Sequence, residues 1–175
     1  PVEFTDHVGM PLREGLRLVH NTLVGINKRN EIAIGASGKI ISGYDIIRAI
    51  AIGADWCNSA RGFMFALGCI QSRSCHTDKC PTGVATQDSV RQRALVVPDK
   101  AERVFSFHKS TMQSLAELIG AAGMTHPNQI SSDYLMCRGT DGKARPYAAE
   151  LPIVNTGVLI QGVNGINQKE LPKEY

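Results

Sequence analysis

The sequence predicts an α/β fold built on parallel strands, and three observations carry that expectation. Two short apolar runs, residues 31–36 and 54–57, bracket a helix-like segment with Ile46, Ile47 and Ile50 on one face. A glycine-containing turn, Ser37-Gly38-Lys39, separates the first run from that segment. The order strand, turn, helix, strand is a βαβ unit, whose strands are parallel neighbours joined by a right-handed crossover. A parallel sheet must be covered on both faces or closed into a barrel.

The elements follow in order. Pro11 suits the first helical position, where a missing N–H costs nothing. Leu12, Leu16, Val19, Leu23 and Ile26 then recur at helical spacing, predicting a helix over 11–24 that stops near Gly25. Ser42 followed by Asp45 reads as a capping box opening the next helix, which ends near Gly53. A short helix is possible over 62–67. A long amphipathic helix is expected over 99–122, with Phe105, Met112, Leu115 and Ile119 on its apolar face. Beyond Gly123 the pattern is irregular, and the polar stretch 163–175 is expected to be mobile. Trp56 is expected in the core. His7, His20 and His108 are read as packed or solvated residues on helical faces, and Arg91, Arg93 and Lys100 as a solvated face.

With 175 residues, 43% of them apolar, the chain has the length and composition of one globular domain. A net charge of +3 does not argue for a nucleic-acid surface. Arg48, Asp55 and Arg61 interrupt the richest apolar region, so no membrane segment is expected. The start, Pro1-Val2-Glu3-Phe4, has neither a basic region nor an apolar core of a secretory leader. It also lacks Met, so a trimmed, processed or internal segment is expected. Five cysteines, three of them crowded into one short segment, do not form a disulfide framework and point to a reducing, cytoplasmic setting.

Two loops carry a candidate phosphate site. The first is Ser37-Gly38-Lys39 with the helix start at Gly43, and the second is Ser59-Ala60-Arg61. Gly38 lets a backbone N–H approach an oxygen closely. Helix-start N–H groups attract anions, and Arg61 offers a planar fork. The bland alternative is that Gly38 only turns the chain and Arg61 is solvated.

The sharper signal is Cys69-x5-Cys75-x4-Cys80-Pro81. Thiolates select zinc or iron–sulfur clusters. Three cysteines fall short of the four ligands of a cubane cluster but can hold a cluster lacking one iron, the 3Fe–4S type. Two other readings stand beside it. One is a zinc site with His76 as fourth ligand, although adjacent Cys75 and His76 make a poor chelate. The other is three buried thiols, although Gln71, Ser72, Arg73, Asp78 and Lys79 are polar company for that. Cys57 and Cys137 read as core thiols.

The run from Ile32 to Gly43, the block Gly53-Ala54-Asp55-Trp56-Cys57-Asn58-Ser59-Ala60-Arg61-Gly62 and the segment Cys75-His76-Thr77-Asp78-Lys79-Cys80-Pro81-Thr82-Gly83-Val84-Ala85-Thr86-Gln87 resemble the FMN domains of glutamate synthases. The resemblance covers roughly residues 1–150 and is nearest to the stand-alone glutamate synthase-related proteins. It implies the C-terminal portion of a (β/α)8 TIM-type barrel, incomplete in this chain, with its last βα units in 1–68. A 3Fe–4S segment in 69–98, a helical extension in 99–150 and an irregular tail in 151–175 would follow. Carried over, Cys69, Cys75 and Cys80 are the cluster ligands. Ser37, Gly38, Lys39 and Gly43 flank the FMN phosphate on one side, and Ser59, Ala60 and Arg61 on the other. The implied activity is reductive formation of L-glutamate from the 2-oxoglutarate-derived imine, with electrons passing between cluster and flavin. A small-molecule substrate of the 2-oxoglutarate and glutamate class, and a protein or nicotinamide-reductase electron donor, are the implied partners. About two of eight barrel strands are present, and no residue here matches the catalytic acid or hydride-site lysine. The alternative expectation is therefore a non-catalytic fragment, or an electron-transfer or assembly module, that needs the rest of the barrel.

Overall fold

The computed structural model describes residues 8–160. His7 and the stretch 163–175, both given a role above, lie outside them. Helix α1 spans Leu12–Gly25, as the spacing predicts. Its Pro11 occupies the position just before the first helical residue. Strand β1 is Gly35–Ser37 and β2 is Trp56–Asn58, each shorter and slightly later than expected. They pair in parallel, with Gly35 opposite Trp56 and Ser37 opposite Asn58. Among the described residues neither strand has a second neighbour.

Between them runs α2, Gly43–Ile52. The capping box is formed: Asp45 N donates to Ser42 Oγ at 3.2 Å, and Ser42 N donates to Asp45 Oδ2 at 3.0 Å. Burial works against ionisation of Asp45. The Ser42 amide and hydroxyl, the Ile41 amide and the Arg48 cation outweigh it and hold the carboxyl below its ordinary range. Helix α3, Arg61–Leu67, follows β2, and after the 310 turn Cys75–Thr77 come α4, Ser89–Gln92, and α5, Val97–Ala121.

The core lies between these helices and the sheet. Ile34, Ala36, Ile40, Ile47, Ile52 and Leu16 meet Leu115 and Ile119 of α5 there. Gly43 is the closest approach: a Cβ on it would stand 2.7 Å from Leu115 N, so only glycine lets α5 press against the start of α2. Phe63 of α3 meets Phe107 of α5 edge to face at 5.2 Å.

Three expectations are corrected. Trp56 is 48% exposed rather than core, because it lies flat over Gly35 on the uncovered side of a two-stranded sheet. Leu115 and Ile119 are buried as expected, but Phe105 is 65% and Met112 44% exposed. Between Gly123 and Ile160 the chain forms regular elements. An antiparallel hairpin of β3, Met136–Arg138, and β4, Ala144–Pro146, is followed by the short helix α6, Tyr147–Glu150.

The end of the described chain docks along α1. Asn21, 1% exposed, donates from Nδ2 to Pro152 O at 2.9 Å and accepts from Val154 N at 3.4 Å. Leu159 covers Gly25, where a Cβ would meet its Cγ at 2.5 Å. At the other end of the βαβ unit, Arg29 ties α1 to both strand starts. It donates from Nη1 to Ile32 O, from Nη2 to Gly53 O and Asp55 Oδ2, and from Nε to His20 Nδ1.

Candidate functional site

The loops that follow β1 and β2 stand side by side. Ser59 Oγ, after β2, donates to Ile40 O, after β1, at 2.7 Å. Parallel register sets this up, since strands that run together deliver their C-terminal loops to one edge. Lys39 has φ +54 after Gly38 at φ +156, so the first loop bends back on itself.

Ser37, Gly38, Lys39 and Arg61 line one cleft of about 630 Å³. Arg13 of α1 and Arg48 of α2 line it too, so that among the described lining residues four cations stand with the carboxylate of Asp45. Arg48 Nη2 is paired with Asp45 Oδ1 at 2.8 Å. Arg61 makes no ion pair or hydrogen bond with a described residue, so its fork is open to a ligand. The cleft therefore suits an anion such as a phosphate group. Ser59 sits behind it as the tie between loops, Ala60 precedes the first residue of α3, and Gly43 is buried against α5. These three do not line the cleft. Arg13 and Arg48 escape sequence reasoning because they come from helix faces rather than loops.

The cysteine segment leaves α3 at Gly68, whose left-handed backbone ends the helix. Gln71, Arg73 and Asp78 all have positive φ, so the loop is tightly folded. Asp78 closes it: its carbonyl accepts from Thr86 Oγ1 and its Oδ1 from Gln87 N, both at 2.6 Å. Gly83, at φ +78, lies against Arg91 O, where a Cβ would come within 2.4 Å. Cys80 is buried, Cys69 half-buried and Cys75 exposed. The Thr82 hydroxyl, 3.5 Å from the Cys80 sulfur, and the Ala85 N–H lead the groups that pull its thiol down to about 7. Gln71 N donates to Cys69 Sγ at 3.5 Å. The donor set suits a thiolate-bound metal. Among the described residues no three His, Cys, Asp or Glu side chains are gathered closely enough to hold a metal ion. The three thiols thus share one loop without converging. Cys57 hangs under α2, near Ile46 O, and burial pushes its thiol up.

Residues 1–125 match the conserved region of glutamate synthase. The chain is 41% identical over 140 residues to the glutamate synthase large subunit-like protein YerD of Bacillus subtilis (strain 168), covering 80% of this chain and 27% of that protein. It is 36% identical over 139 residues to the archaeal glutamate synthase [NADPH] of Methanocaldococcus jannaschii, covering 79% and 27%. With the ferredoxin-dependent glutamate synthase of Cyanidium caldarium it shares 33% identity over 138 residues, 73% of this chain and 9% of that protein. The chain thus spans about a quarter of the length of the first two relatives. No helix of the described residues is long and apolar enough to cross a membrane.

Proposed function

The chain belongs to the glutamate synthase family, and from that premise we propose that it forms the phosphate- and cluster-binding end of a flavin and iron–sulfur oxidoreductase that makes L-glutamate reductively from the imine of 2-oxoglutarate. The observation that carries this reading is the cleft, where two parallel-strand loops tied by Ser59 and Ile40 turn Lys39 and Arg61 toward one opening. Residues 1–68 are then the last βα units of a (β/α)8 barrel, 69–98 the cluster segment, 99–150 a helical extension and 151–175 a terminal segment. In this assignment Ser37 and Gly38 offer backbone N–H groups to an FMN phosphate, Lys39 and Arg61 neutralise it, and Gly43 starts the helix behind the cleft. Ser59 and Ala60 fix the second loop. Cys69, Cys75 and Cys80 would hold a 3Fe–4S cluster. The Cys80 thiol is pulled down to about 7 by the Thr82 hydroxyl and the Ala85 N–H. When bound, the flavin supplies hydride and the cluster supplies single electrons.

Substrate-facing groups are not among these residues, which supply cofactor ligation only. The exposed face of Trp56 and the two-stranded sheet favour a second reading, in which the stretch acts only inside a complete barrel. A flavin fluorescence titration separates the two. Weak FMN binding by these 175 residues alone, restored by adding the N-terminal barrel half of a relative, is the expected result. Tight stoichiometric binding by the isolated stretch refutes its dependence on the barrel. No binding by either sample refutes the phosphate cleft.

A further inference from the structure

The cleft contains a cation that neither strand loop supplies. Arg13, in the first turn of α1, lines the same opening as Ser37, Lys39 and Arg61. Its Nη1 donates to Tyr147 Oη at 3.3 Å. Tyr147 is 5% exposed and belongs to the core, and its backbone N–H is bonded to Leu135 O at 2.8 Å. The phenol oxygen is therefore presented from a fixed position.

The chemistry of this partner matters. A phenol orients a guanidinium without cancelling its charge. Arg48, on the same cleft, is held instead by the Asp45 carboxylate, which neutralises it. A guanidinium has five N–H donors in a planar fork. One N–H toward Tyr147 leaves the others for an anion. Tyr147 also lies beyond residue 125, where the match to the conserved glutamate synthase region ends. Tyr147, the first residue of α6, thus joins the segment after the hairpin to a residue that lines the cleft.

We propose that Arg13 binds the phosphate monoester of the ligand in this cleft, and that Tyr147 is its positioning residue. The inference rests on the phosphate-cleft reading above. It makes α6 a support of the ligand site.

The test uses the full natural protein, stripped of flavin and titrated with FMN and with riboflavin, which lacks the phosphate. Wild type should prefer FMN. Arg13→Gln, a change at an exposed side chain, should weaken FMN binding about tenfold and leave riboflavin binding unchanged. It should also flatten the dependence of FMN affinity on salt. Tyr147→Phe should weaken FMN binding about threefold, again without effect on riboflavin. Arg13→Lys should recover part of the loss. A merely structural role for either residue would move both flavins together, and that result overturns the proposal. So does a wild-type FMN-to-riboflavin ratio in both Arg13→Gln and Tyr147→Phe. A wild type that binds riboflavin as tightly as FMN removes the phosphate cleft itself, and the proposal falls with it.

Discussion

Arg17 and Asn21 sit one helical turn apart on α1, both almost fully buried, and their replacement should have opposite signs. Arg17 is 4% exposed, and its Nε, Nη1 and Nη2 have no hydrogen-bond partner among the described residues. Burial pushes its guanidinium down to about 10, against only a distant pull from Asp133. Because the folded value lies below the unfolded one for a base, the penalty is complete at every pH below about 10 and is relieved only as the pH rises above that. A drop of two to three units corresponds to about 3 kcal/mol. Arg17→Met removes the charge and keeps most of the apolar stem, losing about 1 kcal/mol of packing. The net expectation is about 2 kcal/mol of added stability, or a Tm raised by roughly 4–8 °C. Asn21→Leu is the counterpart. It strips partners from Pro152 O and Val154 N and should cost about 2–3 kcal/mol. Thermal melts and urea titrations of the two variants beside wild type read both. If Arg17→Met destabilises as much as Asn21→Leu, the guanidinium is satisfied by bound water or an anion and the reasoning is wrong.

Gly43→Ala should destabilise by about 1–3 kcal/mol through collision with the Leu115 backbone; an unchanged urea midpoint with reduced FMN affinity would instead assign Gly43 to phosphate binding. Burial, with Arg17 and Arg29 nearby, pushes His20 down to about 4, so the neutral ring is the folded form. Its folded value lies below the ordinary 6.5, so stability should fall as pH drops from 6.5 through 4, by about 2 kcal/mol given its partial exposure. His20→Gln, which keeps an acceptor for Arg29 Nε, should flatten that slope in urea titrations across this range. Replacing Cys69, Cys75 or Cys80 by Ala should each abolish bound iron and sulfide, whereas Cys137→Ala leaves both unchanged. Metal analysis returning zinc in place of iron and sulfide rejects the cluster assignment.

The βαβ unit is readable because its signals are local: Ser42 and Asp45 cap α2, Gly25 ends α1, and Ile47 keeps helical register with the core. Trp56 escapes because exposure depends on whether a second strand lies alongside, which no local pattern encodes. The hairpin is not legible although Asp141-Gly142 between short runs is a turn signal; three-residue strands are too brief for alternation to register. Within the cleft, Ser37, Gly38, Lys39 and Arg61 are legible as loop chemistry following strands. Arg13 is not, because its place depends on how α1 lies against α2 and on Tyr147, 134 residues away.

That last distance bears on how the molecule is assembled. Asn21 and Arg13 make their bonds with residues 131 to 134 positions downstream. Contacts so remote in sequence require a large loop to close before they return any energy. During synthesis α1 emerges well before these partners and must wait, its buried-polar stripe still wetted, until the hairpin and the stretch behind it leave the ribosome. Emergence of the stretch from Tyr147 to Val154 should therefore be the event that seals α1, and a stall or cut just before Tyr147 should leave a nascent chain that chaperones and proteases recognise by α1 rather than by its broken end.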